Sequence, residues 1–324
     1  MAIRCERDWH KYFRKPMNRH KIARKMKKMH KTQEFHRPVL LNEAVEGLNV
    51  TTGKWYIDAT IGGGGHTGEI VQRGGKVFGI DRDSQAIDEV TRRFANEIEL
   101  GLVKVVKGNF SHITKLTIKH SIPDIHGVLF DLGISTHQLQ KMGRGFSFLR
   151  DEPLDMRMSQ SEGVKAAEIV NSYSWNDLTE VFQKYGEEVN AGQIAEKIVQ
   201  VRKQKPIAST KELADLIERV AKGHQKRIHP ATKIFQALRI EVNEELHELK
   251  TALPQVLEVL SPKGRIAIIS FHSLEDRIAK QFFKNKEREN QIRIITKKPI
   301  VATDNEIAVN AKARSAKLRI IEKI

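Results

Sequence analysis

Four consecutive glycines, Gly62, Gly63, Gly64 and Gly65, stand in DATIGGGGH (58–66), between a β-rich run, WYIDAT (55–60), and a segment of helical composition. Glycine at such a junction lets the backbone adopt dihedrals, and approach a ligand, in ways that side chains forbid. The junction implies a strand-loop-helix unit of an open parallel sheet. Runs 76–81 (KVFGID), 103–108 (VKVVKG) and 127–132 (GVLFDL) read as three more strands, separated by helix-length segments such as 84–98, with Ser84 as the expected N-cap. Short β-rich runs alternating with helices predict a parallel sheet covered on both faces.

From about residue 160 to 260 only helical periodicity is found. Leu178, Val181 and Phe182 share a face, as do Leu213, Leu216, Ile217 and Val220, then Leu253, Val256, Leu257 and Leu260. SWND (174–177) and STKE (209–212) have the pattern of capping boxes. Strand pattern resumes at 264–271 (GRIAIISF), followed by a helix that Ser273 is expected to cap. Runs 292–297 and 317–322 then suggest a closing antiparallel hairpin.

Gly63, Gly65 and Gly68 satisfy G-x-G-x-x-G, and Asp81 follows Gly62 by 19 residues, where a carboxylate can hold ribose hydroxyls. That spacing suits NAD and S-adenosylmethionine alike. Asp58 before the glycines and Asp131 at the end of the fourth strand favour the latter. Carboxylates suit a sulfonium and an ammonium but repel a pyrophosphate. An antiparallel strand at the sheet's end also belongs to class I methyltransferases rather than dehydrogenases.

The net charge of +16 favours polyanionic partners, through phosphate neutralisation and counterion release. Residues 1–34 carry +9 of it. Segment 1–35 reads as a basic arm, and RNA binding and organelle targeting both remain open for it. The single cysteine, Cys5, excludes an internal disulfide and any multi-cysteine zinc site. No apolar run approaches the roughly 18 residues of a membrane span. These features predict a cytoplasmic protein without membrane association. No metal is expected, since His66 has no second ligand at a suitable spacing.

Seven blocks together resemble one family. They are HRPVLLNE (36–43), DATIGGGGH (58–66), DLGISTHQ (131–138) with RGFSF (144–148), PLDMRM (153–158), HPATKIFQALRI (229–240), SFHSLED (270–276) and ARSAKLR (313–319). In order and spacing the chain is similar to the RsmH or MraW family of small-subunit ribosomal RNA methyltransferases. The resemblance implies an α/β fold: a Rossmann-like, class I S-adenosylmethionine-dependent methyltransferase sheet with an inserted all-helical domain. On that reading 36–136 and 243–324 form the methyltransferase domain and 137–242 the insertion. It further implies N4-methylation of a cytidine near the decoding centre, with small-subunit RNA or the assembling subunit as partner. Either a monomer or a homodimer is compatible.

Carried onto matching positions, the implied cofactor contacts are Gly64, Gly65, His66, Asp81, Phe110, Asp131 and Gln138. Asp81 would grip the ribose and Phe110 would lie against the adenine. Arg144, Phe146 and Phe148 offer a guanidinium and two aromatics for stacking a splayed base, while His272 and Arg314 are further candidate substrate contacts. Arg314, Lys317 and Arg319 are expected to face RNA from the last strand. Asp131 is the candidate catalytic residue, serving the cofactor, the amine or both, because DLGI (131–134) lacks the Pro-Pro-aromatic that usually follows such an aspartate. The chain also departs from the family pattern at Thr136 and His137, and at Ala311-Lys312, where Pro-Arg is usual. A non-catalytic RNA-binding factor is the rival class, and the intact Asp58, Asp81 and Asp131 argue against it.

Overall fold

Seven strands form one sheet in the order β3-β2-β1-β4-β5-β7-β6. In chain order they are β1 Trp55–Asp58, β2 Lys76–Asp81, β3 Val103–Lys107, β4 Ile125–Asp131, β5 Leu260–Ser270, β6 Ile292–Ile294 and β7 Lys317–Lys323. Strands β1 to β5 pair in parallel, and β7 runs antiparallel to both β5 and β6. The computed structural model describes residues 38–134, 139, 142–221 and 229–324. The basic arm, 1–35, and the expected cofactor contact Gln138 lie outside the described residues.

Alternate residues of a strand point to opposite faces of its sheet. Here both sets are apolar: Ile57, Phe78, Val128 and Ile266 pack on one side, and Tyr56, Val77, Leu129 and Ala267 on the other. Full burial of such a Val, Ile, Leu or Phe side chain contributes about 1.5–3 kcal/mol. Both faces therefore need helical cover.

The helices are α1 Leu41–Leu48, α2 Gly65–Gln72, α3 Ser84–Arg93, α4 Ala95–Glu99, α5 Ile113–Lys119, α6 Ala166–Ser172, α7 Trp175–Gly186, α8 Ala191–Arg202, α9 Thr210–Val220, α10 Ala231–Asn243, α11 Glu245–Val259, α12 Ser273–Arg288 and α13 Asp304–Val309. Ala44 and Val45 of α1 and Ile70 of α2 cover the Tyr56 face. Leu249 and Leu253 of α11 and Phe283 of α12 cover the Ile57 face. Between β4 and β5, helices α6 to α10 gather around a core of their own that includes Leu178, Phe182, Ile198, Ile217 and Leu238.

Ser174 and Ser209 cap α7 and α9 in reciprocal boxes with Asp177 and Glu212, as their spacing predicts. Two other expected caps shift by one residue. Asp83 caps α3, its side chain accepting from the Gln85 amide, and Ser84 is the first helical residue. His272, and not Ser273, caps α12. Leu260 opens β5 instead of closing the preceding helical stripe. The final pair is antiparallel, but its connection holds α13 and a 3-10 turn, Ala311–Ser315, and β7 lies between β5 and β6. It is therefore no tight hairpin. Among the described residues no helix is long and apolar enough to cross a membrane.

Candidate active site

The sheet order reverses between β1 and β4, and open α/β sheets hold ligands in the crevice outside the carboxyl ends of their strands at such a point. A cleft of about 320 Å³ lies there, lined by the glycine loop, Asp81, Phe110 and Asp131. Its far wall includes Arg239 of α10, Glu245 and Leu249 of α11, Glu275 of α12 and Lys312 of the 3-10 turn.

The glycines are needed for different reasons. Gly64 sits at φ 72° as the N-cap of α2, and a Cβ there would stand 2.6 Å from the Phe94 ring. At Gly65 a Cβ would be driven into the Pro38 ring. Gly62, Gly63 and Gly65 line the cleft, whereas the expected contact Gly64 shapes the loop from behind. His66 is buried on α2; its Nε2 lies 3.2 Å from the Val39 carbonyl oxygen and its Nδ1 3.7 Å from Asp131 Oδ2.

Three carboxylates respond to this environment. Asp81 accepts hydrogen bonds from the Gly62 amide on Oδ2 and the Asp83 amide on Oδ1, both at 2.9 Å, yet burial still raises its pKa to about 6. Asp58 is raised to about 6 by burial, despite accepting a 2.7 Å hydrogen bond from Thr67 Oγ1. It braces the loop from below and does not line the cleft, so its charge does not face a ligand there. Asp131 is raised to about 8, first by burial and then by Asp58 and Glu275, with Lys312 opposing. Its amide donates to Thr60 Oγ1 at 2.7 Å, which fixes the end of β4 to the loop after β1. Its Oδ1 is buried without a hydrogen-bond partner among the described residues. Such an oxygen costs free energy until a donor reaches it.

The expected substrate group separates. Arg144 is 1% exposed and places its Nη1 3.0 Å from Asp83 Oδ2, while its Nη2 donates to the Arg157 and Met158 carbonyls. A guanidinium held in this way cannot stack a base; its role is structural. Phe146 is buried beneath it, and Phe148 stacks on His229 at 4.7 Å and meets Phe235 edge-on at 5.1 Å. Both rings fill the helical core. His272 caps α12, with Nε2 3.1 Å from Glu275 Oε1, and does not line the cleft. Arg319 is buried against Asp276, with contacts of 2.6 and 3.2 Å, and so faces inward, while Lys317 lies 3.7 Å from the same carboxylate. Arg314 is exposed, on the turn before β7 and not on the strand.

Glu245, His272 and Glu275 bring three potential metal donors within 4.8 Å of one another. Arg239 already binds both oxygens of Glu245, at 2.8 and 2.9 Å. Burial pushes Glu275 up, but His272, Arg239 and the Phe271 amide outweigh it and hold the carboxyl below its ordinary range. Both carboxylates of the group are thus engaged by protein partners, Glu245 by Arg239 and Glu275 by His272. Arg239, Glu275 and Lys312 were not anticipated as cleft residues, although each falls in or beside one of the sequence blocks.

The sheet order, the reversed β7 and the acid-lined glycine cleft define a class I methyltransferase. The chain belongs to the MraW methylase family, whose model matches residues 33–324. It is 44% identical over 306 residues to the ribosomal RNA small subunit methyltransferase H of Carboxydothermus hydrogenoformans, covering 89% of this chain and 98% of that one. Among solved structures it is similar to an rRNA methylase from Streptococcus thermophilus, at 12% identity and a TM-score of 0.42, over 90% and 99% of the two chains. A SAM-dependent O-methyltransferase from Thermotoga maritima matches at 10% identity and a TM-score of 0.40, over 93% and 70%. Neither structural likeness says anything of this chain's substrate.

The methyl donor of this fold class is S-adenosylmethionine, and the cleft suits it. Asp81, at the end of β2, and Phe110, whose ring meets Phe130 edge-on at 5.4 Å, line it together. Asp131 Oδ1 awaits a donor, and a Cβ at Gly65 would narrow the loop.

Proposed function

We propose that this protein transfers a methyl group from S-adenosylmethionine to the exocyclic N4 of a cytidine in small-subunit ribosomal RNA near the decoding centre, acting in the cytoplasm. The carrying observation is the orphaned Asp131 oxygen at the carboxyl end of β4, inside a cleft suited to the methyl donor. The name of the 44% identical relative and the net charge of +16 support an RNA substrate.

When bound, S-adenosylmethionine supplies an electrophilic methyl on a sulfonium. Asp81 and Phe110 would hold its nucleoside end, and the turn from Gly62 to Gly65 would admit it closely. The N4 lone pair of cytosine is delocalised into the ring, so the amine is a weak nucleophile and positioning is the main task. Asp131 accepts a hydrogen bond from the N4 amine, orients it, and stabilises the positive charge that grows there during transfer. The target base has to leave its stack to reach the cleft. Arg314, exposed two residues after the cleft residue Lys312, would meet the RNA backbone.

Purified protein, labelled methyl donor and undermodified small-subunit RNA test the reading. Mass spectrometry of the digested RNA is expected to show N4-methylcytidine at one position. A methyl group on another atom or another RNA would overturn it.

A further inference from the structure

The structure places Lys312 in the cleft wall. It lies on the 3-10 turn Ala311–Ser315, and its Nζ donates to the Ile134 carbonyl at 3.4 Å. Ile134 is three residues beyond Asp131, so the ammonium is anchored on the segment that leaves the end of β4. Asp131 lines the same cleft, and its Oδ1 has no hydrogen-bond partner among the described residues.

We propose that Lys312 is a positioning residue for methyl transfer, whose positive charge favours the ionised form of Asp131, the form that can take the proton released from the substrate amine. This rests on the amine-methylating function proposed above. As the bond from N4 to the methyl carbon forms, the sulfur–methyl bond breaks and leaves its electron pair on sulfur. The surplus N4 proton passes to the Asp131 carboxylate and from there to solvent. A carboxyl already protonated can neither accept that proton nor stabilise the charge.

Several charges act on Asp131. Asp58 at the end of β1 and Glu275 of α12 both raise it, and burial raises it most; Lys312 is the cation that lowers it. His66 Nδ1 of α2 is 3.7 Å from Oδ2. Lys312 is itself lowered to about 8 by burial, with Asp131 raising it and Arg239 of α10 lowering it further. Arg239 is committed to both oxygens of Glu245. Removing a nearby cation raises a carboxyl pKa by about one to three units.

The test uses the full chain, without donor, carrying carbon-13 aspartate carboxyls, with the Asp131 resonance assigned by its loss in Asp131→Asn. In Lys312→Gln, which keeps a hydrogen-bond donor but removes the charge, the Asp131 titration midpoint is expected to rise by about one pH unit or more. Lys312→Arg is expected to stay near wild type. Lys312→Met serves as the second charge-removing variant, with thermal melting confirming that each variant is folded. In activity assays at saturating donor, the acid limb of kcat is expected to move up by the same shift, with donor affinity unchanged. An unmoved Asp131 midpoint in both uncharged variants overturns the proposal. If wild type fails to methylate RNA, the functional reading falls, while the titration still decides whether Lys312 governs Asp131.

Discussion

Arg144 and Asp83 form a buried ion pair, Nη1 to Oδ2 at 3.0 Å, that ties the segment after β4 to the cap of α3 just beyond β2. Both side chains are almost wholly inaccessible, at 1% and 6% exposure. Asp83 therefore serves as a helix cap and as the counter-ion of a guanidinium that also holds two backbone carbonyls. Removing one partner of a buried pair strands the other charge and typically costs about 3–5 kcal/mol. Arg144→Ala is expected to lose stability on that scale in urea unfolding. If it folds normally and loses only RNA affinity, the residue contacts substrate after all.

Asp81 is expected to control donor binding. Its two oxygens accept from the Gly62 and Asp83 amides, which leaves lone pairs directed at the cleft for ribose hydroxyls. Calorimetry on Asp81→Ala should show S-adenosylmethionine affinity at least about tenfold weaker, equivalent to about 1.4 kcal/mol. Asp81→Asn separates the causes, because its amide oxygen can still accept from Gly62. Unchanged affinity in both variants would remove Asp81 from the site.

The loop offers a steric test. A methyl group at Gly65 would meet the Pro38 ring, which also lines the cleft, so either the loop or the proline must move. Overpacking of this kind costs about 1–3 kcal/mol. Gly65→Ala should melt earlier than wild type and bind donor more weakly, whereas Gly53→Ala, where a Cβ meets nothing within 4 Å, reports only the strain of φ 80°. Equal donor affinity in the two variants would show that the Pro38 contact does not shape the cleft.

Asp81 and Asp131 are legible in the sequence because their places follow from strand ends, and strand ends follow from short apolar runs bounded by glycine or acid; Phe110 comes only from the family resemblance. Apolar alternation likewise reveals which runs are buried on both faces. Arg144 is misread because nothing local says that a guanidinium will be buried; its partner Asp83 lies 61 residues earlier, on another strand's exit. Phe146 and Phe148 are misread for a related reason: beside a cofactor segment an aromatic pair suits base stacking and core filling equally, and only the burial of Phe146 and the packing of Phe148 on His229 and Phe235 decide. Lys312 is invisible as a site residue because it comes from the far end of the chain, on a turn that the closing-hairpin pattern conceals. Caps slip by one residue because Asp83 and His272 compete with the serines beside them.

Acidic burial also predicts how stability varies with pH. A carboxyl whose pKa is higher folded than unfolded holds its proton more tightly when folded. Its contribution is present below the unfolded value of 3.8 and is lost as pH rises through the folded one. For Asp58 and Asp81 the loss is complete soon above about 6, and for Asp131 it continues to about 8. The lowered His120 and His126 act in the opposite direction, but only below their ordinary value of 6.5, and both are half-buried. Lys312, lowered to about 8, opposes this loss as pH nears 8, so between about pH 6.5 and 7.5 the melting temperature of the donor-free protein should fall, and fall less in Asp131→Asn. Equal slopes in the two proteins would show that Asp131 is ionised throughout this range.

Asp131→Asn also separates two roles at the centre of the reaction. The change keeps the shape of the side chain and an acceptor oxygen, but removes the negative charge and the capacity to take a proton. If Asp131 orients the amine and stabilises its developing charge, single-turnover methyl transfer at saturating donor should fall by about a hundredfold or more, while donor affinity changes far less. Loss of rate without loss of affinity marks an interaction made mainly in the transition state. If the carboxylate instead only holds the donor, affinity should drop and the saturated rate should stay near wild type. Wild type adds a control of its own. Its rate should rise with pH toward the Asp131 midpoint, because the ionised form is the competent one, whereas the asparagine variant should lose that acid limb. A normal saturated rate, or an acid limb that survives the substitution, would assign the proton to another group.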